Sequence, residues 1–253
     1  MLDNATISKL RDMRLSNMAT AFQNQFSGND DNSLSFDERF GLLVDAEWDA
    51  RRSNSLKRLI HKAGYECPDA SLENIDYRPD RKLDKTLIAR LGMCNYITER
   101  RNIILVGATG SGKTYLACAF GMAANRSFLS VRYIRLPDLL IDLAIARTEG
   151  TYRKLVKQYQ KVSLLILDEW LLYPLKDHES MELMEIVEKR QKRNSTIFCS
   201  QIDVPDWHQR LGESILADAI CDRIVHNAYK IVVHGDESMR KVTGIQQEAS
   251  QPH

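Results

Sequence analysis

One stretch of eight residues constrains the fold of this chain more than any other. Residues 107–114 read GATGSGKT, which fits the pattern G-x-x-x-x-G-K-[ST], and they directly follow the apolar run 103–106. Glycines let such a loop fold around an anion with its backbone N–H groups pointing inward, where larger side chains would block the approach. The pattern needs a strand before the loop and a helix after it. The sequence therefore predicts a strand, loop and helix that bind the phosphates of a nucleoside triphosphate.

The residues of this loop have separate expected roles. Lys113 is predicted to reach the β- and γ-phosphates and to act in catalysis, and Thr114 is predicted to offer its hydroxyl group to Mg²⁺. The helix that starts here adds the positive end of its dipole to the phosphate site. The candidate nucleotide-binding residues are Gly107, Ala108, Thr109, Gly110, Ser111, Gly112, Lys113, Thr114 and Tyr115.

A second feature is the apolar run 164–167, which ends in Asp168 and Glu169. Parallel strands present their C-terminal ends to the ligand, so these two acids are expected to meet the phosphates. Asp168 is predicted to hold Mg²⁺, directly or through water, and Glu169 to orient and deprotonate the attacking water. Acid pairs also occur at ordinary strand ends, where they are only solvated, but the phosphate loop upstream favours the catalytic interpretation. ATP and Mg²⁺ are the expected cofactors.

Composition sets outer limits on the class of protein. The chain of 253 residues is 43% hydrophobic, which is enough for a core, and its net charge of +1 means that any nucleic-acid surface must come from local basic clusters. It has no apolar run of 18 residues, and its first 25 residues include many charges, so we expect a cytosolic protein without a membrane span or secretory signal. We interpret the five cysteines as reduced, mostly buried thiols because they form no C-x-x-C pair: Cys67, Cys94, Cys118, Cys199 and Cys221.

The beginning of the chain has helical spacing. Apolar residues recur at three- and four-residue intervals over residues 4–26 and again over 36–63, which predicts two helices. Together they form an expected small helical N-terminal domain, residues 1–65, that contacts a partner or DNA.

Proline and polar residues then mark a change of organisation. Residues 66–82 are predicted to be a linker and residues 83–97 a further helix. The nucleotide-binding domain is expected to span residues 83–245, and residues 246–253 are expected to form a flexible tail.

From residue 102 the pattern alternates between strands and helices, which predicts an α/β fold with a parallel sheet flanked by helices. The predicted strands are residues 103–106, 131–134, 164–167, 197–199 and 231–233. The predicted helices are residues 113–124, 137–146, 152–161, 179–193 and 214–225.

The order of these features resembles the AAA+ class of P-loop ATPases, in which the strand after the acid pair carries a polar sensor of the γ-phosphate. Ser200 and Gln201 follow that strand here, and either residue fits the role. AAA+ assemblies also place an arginine at the neighbouring subunit's γ-phosphate. Arg223, in an otherwise apolar helix, fits this catalytic role, and the alternatives are that it pairs with Asp222 or extends its charged end into solvent. The resemblance makes Arg240 a candidate second sensor that contacts the nucleotide.

Longer matches make the resemblance more specific. The chain is similar to the IstB-like ATP-binding proteins, which are helper ATPases of bacterial insertion sequences and kin of the DnaC helicase loaders. The similarity covers almost the whole chain and rests on residues 9–19, 47–52, 164–169, 223–226 and 238–240. It implies ATP-dependent binding to duplex DNA, self-assembly into rings or spirals, and stimulation of the transposase encoded by the same element.

The chain departs from the family pattern at residues 235–238, which read GDES where Gly-Glu-Ser without the additional residue is expected shortly before Arg240. Only 53 residues follow Ser200, too few for the full helical lid of larger AAA+ proteins. A reduced lid is therefore expected, as in the family.

Basic residues cluster in two places that suit contact with DNA phosphates. Residues 147–161 include five basic residues and one acid, and Arg153, Lys157 and Lys161 share one face of a predicted helix. Charge runs are also typical of ordinary solvated surfaces, and any DNA contacts made here are expected to be sequence-tolerant and salt-sensitive. The second cluster, at the end of the helix predicted over 36–63, comprises Arg51, Arg52, Lys57 and Arg58.

The leading hypothesis is a DNA-binding ATPase that assists transposition, and it has two rivals. A helicase loader would grip a replicative helicase through its N-terminal domain and prefer single-stranded DNA. A P-loop kinase would phosphorylate a small molecule, but the pair of Asp168 and Glu169 with Arg223 downstream suits water as the acceptor and a site between subunits.

Overall fold

A computed structural model of the chain describes residues 2–27, 34–212, 215–235 and 239. These residues divide into two compact units, residues 1–58 and residues 59–253, and each unit is described by itself.

The first unit contains three helices in its described part: α1 (Leu2–Asp12), α2 (Ser16–Ser27) and α3 (Phe36–Ala63), of which α3 continues past the division at residue 58. The single helix predicted over residues 4–26 is wrong, because the chain turns at Arg14, whose φ is 60°. Glu47 of α3 fixes this turn, since its buried carboxylate accepts hydrogen bonds from the backbone N–H groups of Asn17 and Met18 at 3.0 and 3.2 Å. The helix predicted over 36–63 is confirmed.

The second unit begins with a segment that packs on the nucleotide-binding core. Within residues 66–82, Ala70 and Ile75 are buried in the core, and a short 3₁₀ helix, Pro79–Arg81, follows them. Just before this segment, the Tyr65 hydroxyl donates to Asn125 Oδ1 at 2.7 Å. The stretch that the sequence suggests as a linker is therefore fixed to the core by buried side chains.

The helix predicted over residues 83–97 is interrupted in the structure. It is replaced by α4 (Lys85–Gly92), which the Asp84 side chain caps, and by a short α5 (Asn95–Thr98). Cys94, with a φ of 62°, separates the two helices.

The described residues form one parallel sheet of five strands in the order β2-β3-β4-β1-β5, which confirms the predicted fold class. Its strands are β1 (Asn102–Val106), β2 (Val131–Arg135), β3 (Leu164–Trp170), β4 (Ser195–Ser200) and β5 (Ala228–Val232). The accompanying helices are α6 (Lys113–Arg126), α7 (Leu136–Thr148), α8 (Tyr152–Lys161), α9 (Asp177–Arg190), α10 (Trp207–Leu211) and α11 (Ile215–Val225).

Both faces of this sheet are buried, as expected for parallel strands covered by helices. Ile103 and Leu105 of β1 pack with α6 on one face, and Ile104 packs with α7, α9 and α11 on the other. Helix α10 was not predicted; its Trp207 is fully buried against Trp170, with ring centroids 5.6 Å apart. No helix in the described ranges is both long enough and apolar enough to span a membrane.

The sheet order brings the predicted site residues to one edge. Strand β4 lies between β1 and β3, so the carboxyl ends of these three strands are adjacent. The phosphate loop follows β1, the acid pair lies at the end of β3, and the predicted sensor residues lie at the end of β4.

Candidate nucleotide-binding site

The phosphate loop needs glycine at defined positions. Gly110 and Gly112 have φ values of 79° and 93°, a left-handed conformation that glycine adopts at little cost. A Cβ atom on Gly107 would lie 2.3 Å from the carbonyl oxygen of Val233, so the loop and the end of β5 approach too closely for a side chain. The loop ends at the first turn of α6, whose free N–H groups and dipole favour an anion.

Lys113 lies inside this loop. Its ammonium donates to the carbonyl oxygens of Gly107 and Ala108, both at 2.7 Å, and the residue is 7% exposed. Burial lowers the pKa of Lys113 from its ordinary value, and the nearby thiol of Cys199 and carboxylate of Asp168 oppose that shift. The hydrogen bonds to the loop hold the desolvated ammonium of Lys113 next to the expected phosphate site.

Asp168 joins the loop helix to the strand of the acid pair. Its Oδ2 atom accepts hydrogen bonds from Thr114 Oγ1 at 2.7 Å and from the Tyr133 hydroxyl at 2.8 Å. Burial first, and then the charge of Asp168, raises the pKa of Tyr133, so this phenol stays neutral and acts as a donor. Tyr133 was missed by the sequence analysis, because only the pairing of β2 with β3 brings it to Asp168.

Glu169 lies at an irregularity of its strand. The register of β3 against β4 shifts between Leu167 and Trp170, and Glu169 has a φ of 52°, which is uncommon for a residue other than glycine. The bulge turns this carboxylate away from regular strand geometry and toward Arg135, whose Nη2 atom donates to Glu169 Oε2 at 2.6 Å. Arg135 was also missed by the sequence analysis.

The two predicted sensor residues differ in their surroundings. Ser200 is fully buried, and its hydroxyl donates to the carbonyl oxygen of Ile202 at 2.8 Å and faces that of Trp170 at 3.3 Å. Gln201 is exposed and accepts a hydrogen bond from the Thr109 hydroxyl of the phosphate loop at 2.7 Å. Gln201 thus contacts the loop through its side chain, whereas Ser200 contacts it through its carbonyl oxygen, which accepts a hydrogen bond from the Gly107 N–H group at 3.2 Å.

A cavity of about 670 Å³ opens beside these residues, which is within the range of small-molecule sites. Lys113, Thr114, Asp168 and Glu169 line it on the side of the acid pair. Ile75 and Leu83, from the segment that precedes the sheet, and Tyr115 and Leu116 of α6 line it elsewhere. The cavity therefore combines a charged region for phosphates with apolar walls that suit a nucleoside.

Arg81 also lines this cavity and was not singled out in the sequence. It is 5% exposed, its Nη1 atom donates to the carbonyl oxygen of Asp76 at 2.7 Å, and its Nη2 atom donates to that of Ser111 at 2.8 Å. No sequence signal placed this arginine on the phosphate loop.

Of the two candidate arginines in the C-terminal region, only Arg223 lies within the described residues. Arg223 makes its contacts within its own chain, where Nη1 donates to the carbonyl oxygen of Ala219 at 3.0 Å and Nη2 lies 4.0 Å from Glu188 Oε1. It does not line the nucleotide cavity formed by the described residues. Arg240 lies outside the described residues.

The structure places the candidate DNA-contacting residues on two separate helices. Arg153, Lys157 and Lys161 are exposed on α8, as the helical spacing predicted. On α3, Lys57 and Arg58 are exposed, and so is Arg52. Arg51 is engaged within its own unit, since it donates to Glu47 Oε1 at 2.7 Å and to the carbonyl oxygen of Arg14 at 2.9 Å.

The oxygen atoms beside the loop fit Mg²⁺. Thr114 and Asp168 supply a hydroxyl and a carboxylate within 2.7 Å of each other. Magnesium in phosphate-transferring sites usually takes one or two protein oxygens and completes its shell with phosphate oxygens and water. The residues present therefore suit a magnesium ion that is held jointly by the protein and a bound nucleotide.

The sheet order, the phosphate loop on β1 and the acid pair on β3 define a P-loop ATP-binding protein of the AAA+ class. The fold is similar to AMPPCP-bound DnaA from Aquifex aeolicus, with a TM-score of 0.56, 22% identity, and coverage of 68% of this chain and 52% of that chain. It is also similar to the DnaC helicase loader, with a TM-score of 0.52, 20% identity, and coverage of 65% and 97%, respectively.

The particular family is shown by sequence. Residues 8–247 match the model of the IstB-like ATP binding protein family, and the chain belongs to that family. It is 41% identical over 241 residues to a protein of Sinorhizobium fredii named as insertion sequence ATP-binding protein y4pL, with 95% of this chain and 98% of that one covered. The predicted resemblance is confirmed.

Proposed function

We propose that this protein is an ATPase that binds duplex DNA sequence-tolerantly, assembles on it with ATP, and assists the transposase of the same insertion sequence in target selection and strand transfer. The observation that carries the proposal is the joining of Lys113, Thr114, Asp168 and Glu169 around one cavity in a chain of the IstB-like family. Glu169 adds a second carboxylate to the lining of this cavity, and this supports hydrolysis in addition to ATP binding.

Hydrolysis divides into roles for these residues. Lys113 would exchange its hydrogen bonds to the carbonyl oxygens of Gly107 and Ala108 for hydrogen bonds to the phosphates when these enter the loop. Thr114 and Asp168 would hold Mg²⁺, and the bound ion would supply positive charge to the phosphate oxygens. Gln201 lies where a polar side chain can report on the terminal phosphate, because it already contacts the loop through Thr109.

Glu169 is the general base in this proposal. It accepts the proton of the attacking water and must first part from Arg135, which now donates to its carboxylate at 2.6 Å. The pair is partly exposed, with side chains 44% and 28% accessible for Arg135 and Glu169, so its rupture costs little. Nucleotide or DNA phosphates offer Arg135 another anion to bind.

DNA contact is proposed for the exposed basic face of α8. Arg153, Lys157 and Lys161 recur at one-turn intervals, so their charges follow one side of the helix and suit a row of phosphates. The basic end of α3, with Lys57 and Arg58, is proposed as a second contact in the N-terminal domain.

Assembly completes the site in this proposal. Arg223 is exposed enough, at 26% of its side chain, to exchange its contact with Glu188 for the γ-phosphate held by a neighbouring subunit. The domain boundaries that we propose remain residues 1–65 for the partner-binding domain and 83–245 for the ATPase domain, and residues 66–82 pack on the ATPase domain through buried side chains.

The proposal is tested by strand transfer with the transposase of the same element on unrelated duplex DNA. We expect this protein with ATP to raise the yield of inserted products and to direct where they form, and the Lys113→Ala variant to give the yield of transposase alone. Equal yields with and without the wild-type protein would contradict the proposal. Steady release of ADP in the absence of any added acceptor separates an ATPase from a small-molecule kinase.

A further inference from the structure

Arg81 is a buried cation whose charge no ion pair neutralises within the part of the chain that the structure describes. Its two hydrogen-bond partners, the carbonyl oxygens of Asp76 and Ser111, are neutral. The nearby carboxylate of Asp76 is bound to the neighbouring Arg78, with Nε and Oδ2 separated by 2.7 Å. The Nε atom of Arg81 is buried and has no hydrogen-bond partner among the described residues.

A cation in this state costs free energy. Burial disfavours its charged form, as the lowered pKa of Arg81 indicates, and an unused buried donor adds a further penalty. Such a cost is offset when an anion enters and accepts the remaining N–H groups, because guanidinium has five donors in a fixed fork and binds phosphate well.

The position of Arg81 indicates which anion it meets. It lines the nucleotide cavity, and a Cβ atom on Gly112 would lie 2.8 Å from its Nη2 atom, so it is in contact with the phosphate loop itself. Ile75 and Leu83, on either side of Arg81 in the sequence, form part of the apolar wall of the cavity. Asp168 and Thr114, the proposed magnesium ligands, also line the cavity. Arg81 therefore lies beside the loop that binds the phosphates of a triphosphate.

We propose that Arg81 binds a phosphate group that ATP and ADP share and supplies its counter-charge beside Ser111 and Gly112 of the phosphate loop. The segment 66–82 then contributes to nucleotide binding directly, and not only as a connection to the N-terminal helices. This inference rests on ATP binding at residues 107–114 and is independent of DNA binding or transposition.

The test compares Arg81→Met and Arg81→Lys with Lys82→Met. Lys82 is the adjacent, exposed cation, and it lines a separate pocket beside Gly107 and Ala108. Its replacement therefore removes the same charge from beside the loop without changing the lining of the nucleotide cavity. Dissociation constants for ATP and ADP and the urea midpoint of the nucleotide-free protein are measured for each variant of the full chain.

We expect Arg81→Met to raise the dissociation constants for ATP and ADP by the same factor, about 10- to 100-fold. The reason is that both nucleotides lose a charge-assisted hydrogen bond to a phosphate that they share. Arg81→Lys should recover part of this loss because it keeps the charge. The nucleotide-free urea midpoint of Arg81→Met should lie only slightly below that of Lys82→Met, because removal of the unpaired buried charge offsets much of the loss of the hydrogen bonds to the carbonyl oxygens of Asp76 and Ser111.

Three results would overturn the inference. Nucleotide affinities of Arg81→Met equal to those of Lys82→Met would remove Arg81 from the site. A loss confined to ATP would assign it to the γ-phosphate instead. A large decrease in the urea midpoint of nucleotide-free Arg81→Met, with no recovery of affinity in Arg81→Lys, would show that Arg81 only stabilises the structure of the loop. Failure of the proposed transposition role alone would leave the ATP and ADP results unchanged.

Discussion

Glu169 is positioned by its backbone as well as by its partner. The left-handed φ of 52° and the shifted register beside it place a carboxylate at the end of β3 that a regular strand would direct elsewhere. Backbone strain of this kind persists only where the surrounding structure enforces it, and here β3 is an interior strand, paired with β2 on one side and β4 on the other.

Replacement of Glu169 by Gln should separate binding from chemistry. The amide keeps the size of the side chain but cannot accept the proton of water, so we expect ATP turnover to fall at least about 100-fold while ATP affinity is retained. Turnover and nucleotide affinity are measured side by side, with Glu149→Gln as the control for an exposed glutamate. Undiminished turnover in Glu169→Gln would remove this residue from the role of general base.

Tyr133 orients Asp168 through the hydrogen bond of 2.8 Å from its hydroxyl group. Partners behind a metal ligand commonly contribute about 10-fold or more to metal affinity, so Tyr133→Phe should raise the Mg²⁺ concentration needed for half-maximal ATP turnover by about that factor. The exposed Tyr173→Phe variant is the matched control. An unchanged Mg²⁺ requirement in Tyr133→Phe would show that Asp168 does not depend on this donor.

At the scale of elements, α8 is held at its C-terminal end by a buried arginine. Arg190 of α9 donates through Nη1 to the carbonyl oxygens of Tyr159 and Val162 at 2.7 and 2.8 Å, and through Nη2 to that of Ser195. A cation at a helix C-terminus stabilises the orphan carbonyl groups there. The proposed DNA-contacting helix is thereby fixed to the sheet.

Removal of this cation should destabilise the fold. Arg190→Met leaves several buried carbonyl groups without donors, and we expect the free energy of unfolding to fall by about 3 kcal/mol. Urea unfolding measures the loss, and Lys189→Met, at the adjacent exposed position, should change little. Equal stability of the two variants would show that the carbonyl groups of α8 find other partners.

The basic face of α8 gives a prediction about salt. The double variant Lys157→Gln with Lys161→Gln should bind duplex DNA more weakly and lower the slope of log affinity against log salt by about two, one for each lost phosphate contact. Arg126→Gln with Lys189→Gln removes the same charge from other exposed surfaces. Equal slopes for the two double variants would move the DNA surface away from α8.

Elements with strong periodicity were predictable, whereas their interruptions were not. Helix α8 has the predicted bounds, and α3 does as well. Apolar spacing continues through Arg14 and Cys94, so it could not show that the chain adopts left-handed conformations at these two residues.

The site divides in the same way. The loop and the acid pair are local patterns, and they were readable from the sequence. Tyr133, Arg135 and Arg81 reach the site through pairing and packing between distant segments, such as the register that sets Arg135 beside Asp168. No spacing along the chain encodes these contacts, so only the structure could place them.

At the scale of the whole molecule, the proposed function requires that neighbouring subunits both contribute residues to each ATPase site. Arg223→Ala lacks the arginine that we propose reaches a neighbouring subunit, and Glu169→Gln lacks the proposed base of its own site. Mixing the two inactive variants should restore turnover, because about a quarter of the interfaces in a random head-to-tail assembly then combine an intact Glu169 with an intact Arg223. ATP turnover is measured at equal total protein, and a mixture as inactive as its components would exclude Arg223 as the shared group.

The measurement that tests the central claim most directly is sedimentation of the protein with fluorescent duplex DNA, in the presence of ATP, ADP or no nucleotide. The account predicts that duplex DNA and protein sediment together as large particles only with ATP, that Lys113→Ala forms none, and that Glu169→Gln forms persistent ones because it holds ATP without hydrolysis. Particles of the same size without nucleotide, or a preference for single-stranded over duplex DNA, would contradict an ATP-driven assembly on duplex DNA.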